Sequence, residues 1–451
     1  MKKMKHDVPI RLVKVLILIL MMVAFGFVWY GYYAARAQVH YYRRGDWVVI
    51  LLFGILYYGF CRSYDAFHIS ISPISEIIYS QTLALIISDF IMYVVIWLLS
   101  LYMPNAVPLL ITFGVQFLIS VLWTFLAHQW YFHNFRPGRT AVIYDLREGM
   151  ESLVGEYGME KKFHIEKVLG VEECLAKLSI LDEMDTVFLS GIHSHERNII
   201  LKYCMYQDIQ VYVIPRIGDV IMGGAKKVHM FHLPMLRIDR YRPIPEYTIA
   251  KRAFDILFSG IAIVIASPFM LVTAIAIKSD GGPALYKQKR LTKDGKEFNV
   301  LKFRSMRVDA EKDGVARLST GDKDDRITPV GKVIRKIRFD ELPQLFNILR
   351  GDMSIVGPRP ERPEIARQYE EEMPEFRLRL QAKAGLTGYA QVYGKYNTTP
   401  YDKLLMDLTY IGTPSLWEDF KICLATVKIL FMPESTEGVA EGATTAMNGK
   451  K

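Results

Sequence analysis

Uncharged runs and alternating segments divide this chain into stretches of different rhythm. Val15 to Ala35 carries no charged residue over 21 positions, enough at about 1.5 Å per residue to cross a hydrocarbon core of roughly 30 Å. The run reads as a membrane helix. A signal peptide, suggested by Lys2, Lys3 and Lys5, is opposed by the length and by the bulky Trp29-Tyr30-Gly31-Tyr32-Tyr33 end. Trp47 to Cys61 is a second span of 15 uncharged residues between Asp46 and Arg62, whose side chains can snorkel. Ile77 to Phe135 contains one formally charged residue, Asp89, and is broken at Met103-Pro104-Asn105-Ala106-Val107-Pro108, which predicts a helical hairpin. Four transmembrane helices are therefore expected in residues 1–135.

From Arg139 the rhythm changes to short β-type runs at 140–144, 163–168, 186–190 and 210–214, alternating with helical patterns at 150–157, 172–181 and 196–206. Such alternation predicts an α/β domain with a parallel sheet over residues 136–243. After Tyr144, where a phosphate-cradling loop would stand, the chain reads Asp145-Leu146-Arg147-Glu148-Gly149. It lacks the glycines that let backbone approach a pyrophosphate and adds acids that repel one, so a degenerate Rossmann-like domain without a dinucleotide is expected. His193-Ser194-His195-Glu196 reads as a helix start capped by Ser194 rather than a metal site. A fifth apolar run, Ile256 to Ile277, holds 22 uncharged residues with Ser267-Pro268 at its centre and basic residues on both flanks. These features favour a re-entrant helix over 250–278, broken at Ser267 and Pro268, with Lys251, Arg252 and Lys278 at an anionic lipid surface. A kinked spanning helix is the alternative.

Composition agrees with a membrane chain: of 451 residues 51% are hydrophobic, and the mean hydropathy is +0.15. This excludes an ordinary soluble protein and leaves room for two or three domains. The net charge of +9 then points to anionic lipid or phosphorylated substrates, not nucleic acid. Cys61, Cys174, Cys204 and Cys423 lie far apart, so neither a zinc site nor a disulfide framework is indicated. Lys2, Lys3, Lys5, Arg11 and Lys14, with Arg136 and Arg139, place both ends of the four-span region in the cytoplasm. Arg36, Arg43 and Arg44 in the first outer loop run against that trend. Asp89 reads either as a functional carboxylate or as one satisfied by a neighbouring helix or lying near one interface. The tail at 434–451 is expected to be disordered.

Candidate chemistry gathers late in the chain. Between Lys287 and Arg307 stand eight basic residues against two acids. Alternation in Phe298-Asn299-Val300-Leu301-Lys302-Phe303-Arg304 holds Lys302 and Arg304 on one strand face, suited to a phosphate-rich ligand. Asp340 and Glu341 follow Arg335 and Arg338. Neighbouring side chains on a helix diverge by roughly 100 degrees, so the two acids need separate roles. A nucleophile and a magnesium ligand fit phosphoryl chemistry, whereas an exposed acidic first turn is the plain alternative. Prolines on both sides of Arg359 limit its backbone freedom, which suits a clamp.

The ordered set goes further than any one motif. Lys251-Arg252 with the proline-broken run, Leu301-Lys302-Phe303-Arg304-Ser305-Met306, Arg335 through Leu345, Gly351 through Pro360, and Ala384-Gly385-Leu386-Thr387-Gly388 resemble the bacterial sugar transferases. These are the monotopic phosphoglycosyl transferases, or polyprenyl-phosphate hexose-1-phosphate transferases. The resemblance covers about Tyr247 to Met432, including Asp407-Leu408-Thr409-Tyr410-Ile411 and Ser415-Leu416-Trp417-Glu418-Asp419. The whole chain is similar to the long members. It implies a membrane protein of α plus α/β class: four transmembrane helices, the degenerate Rossmann-like domain at 136–243, and a mainly helical catalytic domain at 244–433 with a re-entrant helix.

By this resemblance Asp340 attacks the sugar-bearing phosphate of a UDP-hexose (UDP-glucose or UDP-galactose), releasing UMP, and undecaprenyl phosphate in the lipid bilayer then takes the phosphosugar. Glu341 would hold Mg2+, Arg335 bind phosphate near the acceptor, Lys302 and Arg304 form the basic strand, and Pro358, Arg359 and Pro360 form the donor-binding turn. Arg338 falls at a position without a diagnostic role. The implied place is the bacterial inner membrane, multi-pass, with the catalytic and α/β domains cytoplasmic, at the first membrane step of capsule, exopolysaccharide or O-antigen synthesis. The hexose itself is not legible. The α/β domain and the four-helix region offer surfaces for a homodimer. Two rivals are a scaffold with a decayed module, opposed by the intact Asp340-Glu341 and Pro358-Arg359-Pro360, and a polytopic transferase, which would want more loop aspartates in the first 135 residues.

Overall fold

The computed structural model describes residues 4–37, 44–100, 102–147, 149–279, 281–308, 326–394 and 398–430, so the expected tail at 434–451 lies outside the described residues. The chain forms two compact units, Met1–Ile214 and Pro215–Lys451.

In the first unit the four apolar runs are helices α1 (Met4–Val28), α2 (Arg44–Ser63), α3 (Ile74–Leu99) and α4 (Val107–Asn134), all within helical segments long and apolar enough to cross a membrane. Spacing explains their packing. On α1 and its continuation, Ile17, Met21, Phe25, Trp29 and Tyr33 recur every fourth residue and are buried, while Leu12, Leu16, Ile19 and Phe27 are exposed. Phe25 stacks on Phe53 at 4.5 Å, and Trp29 donates its Nε1–H to Asp46 at 2.8 Å. Asp89 on α3 is 6% exposed, and among the described residues neither carboxylate oxygen meets a hydrogen-bond donor.

The alternating region folds as β1 (Gly138–Tyr144), α5 (Met150–Glu156), β2 (Phe163–Gly170), α6 (Val171–Ala176), β3 (Thr186–Ser190), α7 (Ser194–Tyr206) and β4 (Gln210–Val213). All pairings are parallel, in the order β2-β1-β3-β4. Period-two alternation splits the strand residues between two cores. Ala141, Ile143, Val187 and Leu189 pack with α6 and α7, and Val142 and Phe188 pack on the other face with Val154 and Phe163. Strand order reverses between β1 and β3, where sheets of this kind place ligands. Here the turn after β1 is folded onto the turn after β3. Ser190 Oγ donates to the Arg147 carbonyl at 2.9 Å, and at Gly191 (φ 69) a Cβ would come within 2.8 Å of the Arg147 nitrogen. Ser194 is the first residue of α7, and His193 takes the cap position without a side-chain capping hydrogen bond.

The second unit contains α8 (Ile217–Gly223), an antiparallel hairpin of β5 (Lys226–Met230) and β6 (Leu233–Arg237), the long helix α9 (Pro245–Ser279), and a second hairpin of β7 (Leu285–Leu291) and β8 (Glu297–Phe303). There follow α10 (Pro329–Lys336), α11 (Gln344–Arg350), β9 (Ser354–Val356), α12 (Pro363–Glu372), β10 (Gly385–Thr387), α13 (Tyr389–Tyr393), α14 (Pro400–Gly412) and α15 (Leu416–Leu430). β9 and β10 pair in parallel. Ile217 and Val220 of α8 pack into the core built by α12, α14 and α15, within the unit that begins at Pro215.

α9 runs through Pro268 without interruption. The expected break is therefore an internal proline, beside which Ser267 Oγ donates to the Val264 carbonyl at 2.8 Å. The cations at its start have partners within the protein. Lys251 binds Asp419 at 2.8 Å, and Arg252 donates to the Ile348 and Leu349 carbonyls at 2.6 and 2.7 Å, satisfying the C-terminal end of α11. Asp255 accepts from Ser354 Oγ at 3.0 Å and from the Ile355 backbone nitrogen at 2.9 Å. Beyond Pro268, Met270, Ala274 and Ile277 pack with Phe303, Ile334, Phe339 and Leu342. Ile256, Ile261, Val264, Ile265, Leu271, Val272 and Ile275 remain exposed.

Candidate active site

The acid pair stands on a tight turn with an apolar footing. α10 ends at Ile337, Arg338 adopts the left-handed conformation (φ 56), and Phe339–Glu341 form one 3-10 turn. Phe339 packs edge-on against Phe269 of α9 at 6.2 Å, and Leu342 enters the same core. Between these two anchors Glu341 meets β8: its Oε1 accepts from Lys302 Nζ at 2.8 Å and from Arg359 Nη2 at 3.5 Å.

Opposite forces act on the two neighbouring acids. Burial alone would raise Glu341, but Lys302 and Arg359 outweigh it and hold the carboxyl well below its usual range. Burial, and then the negative charge of Glu341, push Asp340 above the ordinary aspartate range, against Lys302, Arg335 and Arg338. Burial lowers Lys302, with Glu341 opposing. Glu341 is thus a fixed anion and Asp340 a carboxyl with a different proton affinity, as two separate roles demand.

Residues 246–433 match the model of the bacterial sugar transferase family. A UDP-glucose:undecaprenyl-phosphate glucose-1-phosphate transferase of Caulobacter vibrioides is 40% identical over 201 residues, 43% of this chain and 74% of that one. The chain belongs to the bacterial sugar transferase family. It is also 40% identical over 234 residues to a UDP-N-acetylgalactosamine-undecaprenyl-phosphate N-acetylgalactosaminephosphotransferase of Aeromonas hydrophila, covering 51% of this chain and 54% of the relative. With an undecaprenyl-phosphate galactose phosphotransferase of Salmonella typhimurium it shares 38% identity over 236 residues, 49% of each chain. The match thus spans about half the length of the latter two relatives.

In this sugar transferase Lys302, Arg359, Asp340 and Glu341 come together, with Arg335 near enough to bear on Asp340. Arg304 does not join them. Strand alternation sets it beside Lys302, but its guanidinium turns to the carbonyls of Pro283 (3.0 Å), Ile277 (3.0 Å) and Gly281. It is 7% exposed and closes the C-terminal end of α9. Ser267 and Pro268 are remote in role, adjoining the Phe269 on which the acid turn rests. Pro358 and Pro360 direct their carbonyls to Gly385 N and Arg290 Nη1, both at 2.9 Å.

Asn347 was not singled out by the sequence. Fully buried, it accepts from the Leu301 nitrogen at 2.9 Å and donates to the Asn299 carbonyl at 2.9 Å and to Asp352 at 3.0 Å, fastening β8 to α11. Its only signal was a polar residue inside the apolar Leu345-Phe346-Asn347-Ile348-Leu349 run. Magnesium meets a lean donor set: among the described residues no group of three or more acids, histidines or cysteines could hold a metal. One ionised carboxylate, Glu341, still fits a magnesium whose remaining ligands are substrate phosphates and water.

Proposed function

We propose that this sugar transferase moves a hexose-1-phosphate from a UDP-hexose to undecaprenyl phosphate, through a phosphosugar held on Asp340. The observation that carries the reading is the split acid pair: Asp340 beside an anionic Glu341 clamped by Lys302 and Arg359, on a turn seated against an apolar helix. An Asp340 carboxylate oxygen attacks the sugar-bearing phosphorus, the bond to the bridging oxygen breaks, and UMP leaves. An oxygen of the polyprenyl phosphate then attacks the same phosphorus and frees Asp340. Lys302 and Arg359 face the charge that gathers on the phosphoryl oxygens, and Arg335 suits the acceptor phosphate. Glu341 would hold the Mg2+, which neutralises diphosphate charge when bound.

The donor is UDP-glucose or UDP-galactose, and the product begins a capsule, exopolysaccharide or O-antigen unit at the cytoplasmic face of the bacterial inner membrane. Four helices span that membrane and α9 is re-entrant. Support for the re-entrant reading is that one module grips α9 on both sides of Pro268, from Tyr247 and Lys251 to Ile277. A crossing helix would give its two ends to opposite sides. Glu246→Cys and Lys278→Cys should therefore be labelled from the same side of sealed vesicles, and labelling from opposite sides would refute re-entry.

A donor panel of UDP-glucose, UDP-galactose and UDP-N-acetylgalactosamine, scored for UMP, tests the reaction. One equivalent of UMP per enzyme is expected without acceptor, and turnover with undecaprenyl phosphate. No UMP from any donor would overturn the reading.

A further inference from the structure

The Pro358-Arg359-Pro360 turn is held from outside by a buried ionic frame. Four consecutive carbonyls of this turn each accept from a different donor. Pro358 O takes the Gly385 nitrogen at 2.9 Å, Arg359 O takes Arg379 Nη2 at 3.0 Å, Pro360 O takes Arg290 Nη1 at 2.9 Å, and Glu361 O takes the Leu291 nitrogen at 3.0 Å. Proline supplies no backbone N–H at 358 and 360, so the turn cannot brace itself by a ladder of its own.

Arg379 is the hub of the frame. Its side chain is 3% exposed and lies 2.6 Å from Asp407 Oδ2, itself 1% exposed, and 3.5 Å from Glu361 Oε1. Arg290 approaches the other Glu361 oxygen at 4.0 Å. Two guanidiniums therefore grip both the backbone of the turn and the carboxylate that ends it. Their carriers differ: Arg290 lies on β7, Arg379 in the 3-10 segment Pro374–Gln381, and Asp407 on α14. From this frame the Arg359 side chain reaches the acid pair, its Nη2 lying 3.5 Å from Glu341 Oε1.

We propose that Arg379, oriented by Asp407, is a positioning residue that sets the reach of the Arg359 guanidinium toward the donor phosphates, with Arg290 as a second brace. Buried charge is a poor way to gain stability, because desolvation offsets the attraction. A forked guanidinium does, however, satisfy a carbonyl and two carboxylates at once with fixed angles, which a lysine cannot do. Precision is what a clamp on a diphosphate needs, since a small displacement of a catalytic contact costs rate steeply. The inference rests on the transferase reading and on the donor role of Arg359.

The test uses the full-length enzyme and the two halves of the ping-pong reaction, in which kcat/KM for each substrate reports its own half. Arg379→Lys and Asp407→Asn should lower kcat/KM for the UDP-hexose by about ten- to a hundredfold and leave kcat/KM for polyprenyl phosphate within about twofold. Arg290→Gln, which loosens the same turn from another strand, should give the same donor-selective loss and serves if an Arg379 variant fails to fold. A wild-type donor constant in Arg379→Lys, or an equal fall for both substrates in folded variants, would overturn the positioning role. Absence of UMP release by the unmodified enzyme would instead overturn the transferase reading beneath it.

Discussion

Helices α3 and α9 look alike in sequence: each is strongly apolar and each carries one aspartate at its apolar run, Asp89 and Asp255. Their carboxylates are treated in opposite ways. Asp255 is answered by Ser354 Oγ and the Ile355 nitrogen, while neither oxygen of Asp89 has a hydrogen-bond donor. Burial differs too, with 39% of the most apolar window of α3 inside the protein and 11% of that of α9. α3 buries its stripe against other apolar helices. α9 turns a mostly polar stripe, Tyr247, Lys251, Arg252, Asp255 and Ser259, to a folded module, packs Met270, Ala274 and Ile277 into it beyond Pro268, and leaves Ile256, Ile261, Val264, Ile265, Leu271, Val272 and Ile275 exposed. Hydropathy identifies both as lipid-compatible. Only the partners of their polar residues show that α9 is a beam of the catalytic module.

If α9 is the floor under the nucleophile, the largest effect belongs to the residue standing on it. Asp340→Asn should reduce UMP release by at least about a thousandfold and abolish the phosphosugar adduct in the intact mass, with the thermal midpoint not lowered. Persistence of the adduct would remove Asp340 from the chemistry.

Next in size is the fastening itself. Asp255→Leu leaves the Ser354 hydroxyl and the Ile355 N–H buried without an acceptor, a cost of about 2–4 kcal/mol. A marked fall of the thermal midpoint in detergent, with activity falling alongside, is expected. An unchanged midpoint would mean that the polar stripe of α9 does not bind it to the module.

A smaller effect separates the two acids by pH. On the proposed mechanism Asp340 attacks as a carboxylate, so donor kcat/KM should fall as pH drops through a value above the ordinary aspartate range. Glu341→Gln removes the charge that helps raise Asp340 and leaves Lys302 free to face it, and both changes favour ionised Asp340. The acid limb should therefore move to lower pH while the rate falls about tenfold. An upward shift of the limb would contradict the assigned polarity of the pair.

Local pattern carried much of this architecture. The strand expected at 186–190 is Thr186–Ser190, and the re-entrant run expected at 250–278 lies within Pro245–Ser279, because apolar period and turn residues are written locally. Lys302, Asp340, Glu341 and Arg359, singled out by the resemblance of the ordered motifs, do come together. What stayed hidden depends on partners far along the chain. The partners of Lys251 and Arg252 could not be read locally, because Asp419 and the Ile348 carbonyl are about a hundred residues or more away. Strand alternation set Arg304 on the face of Lys302 but said nothing of carbonyls at the end of α9 that would draw its long side chain aside. Asn347, Arg379 and Asp407 act through buried contacts that no spacing announces.

The smallest predicted effect tests the other half of the comparison. Asp89 sits buried on α3 with Ser88 and, across the bundle, Gln116, whose side-chain polar atoms also lack partners. Ser120 Oγ of α4 donates to Gln81 Oε1 of α3, and the Thr112 hydroxyl of α4 is committed to the Pro108 carbonyl. Replacing an unanswered buried polar group by an apolar one of similar size removes a desolvation cost without orphaning a donor. Asp89→Leu should then leave the thermal midpoint unchanged or raise it, within about 1 kcal/mol, and leave UMP release untouched, the opposite of Asp255→Leu in sign. Equal losses in the two variants would show that Asp89 is held by a partner outside this chain, and α3 would then be doing for another molecule what α9 does for its own module.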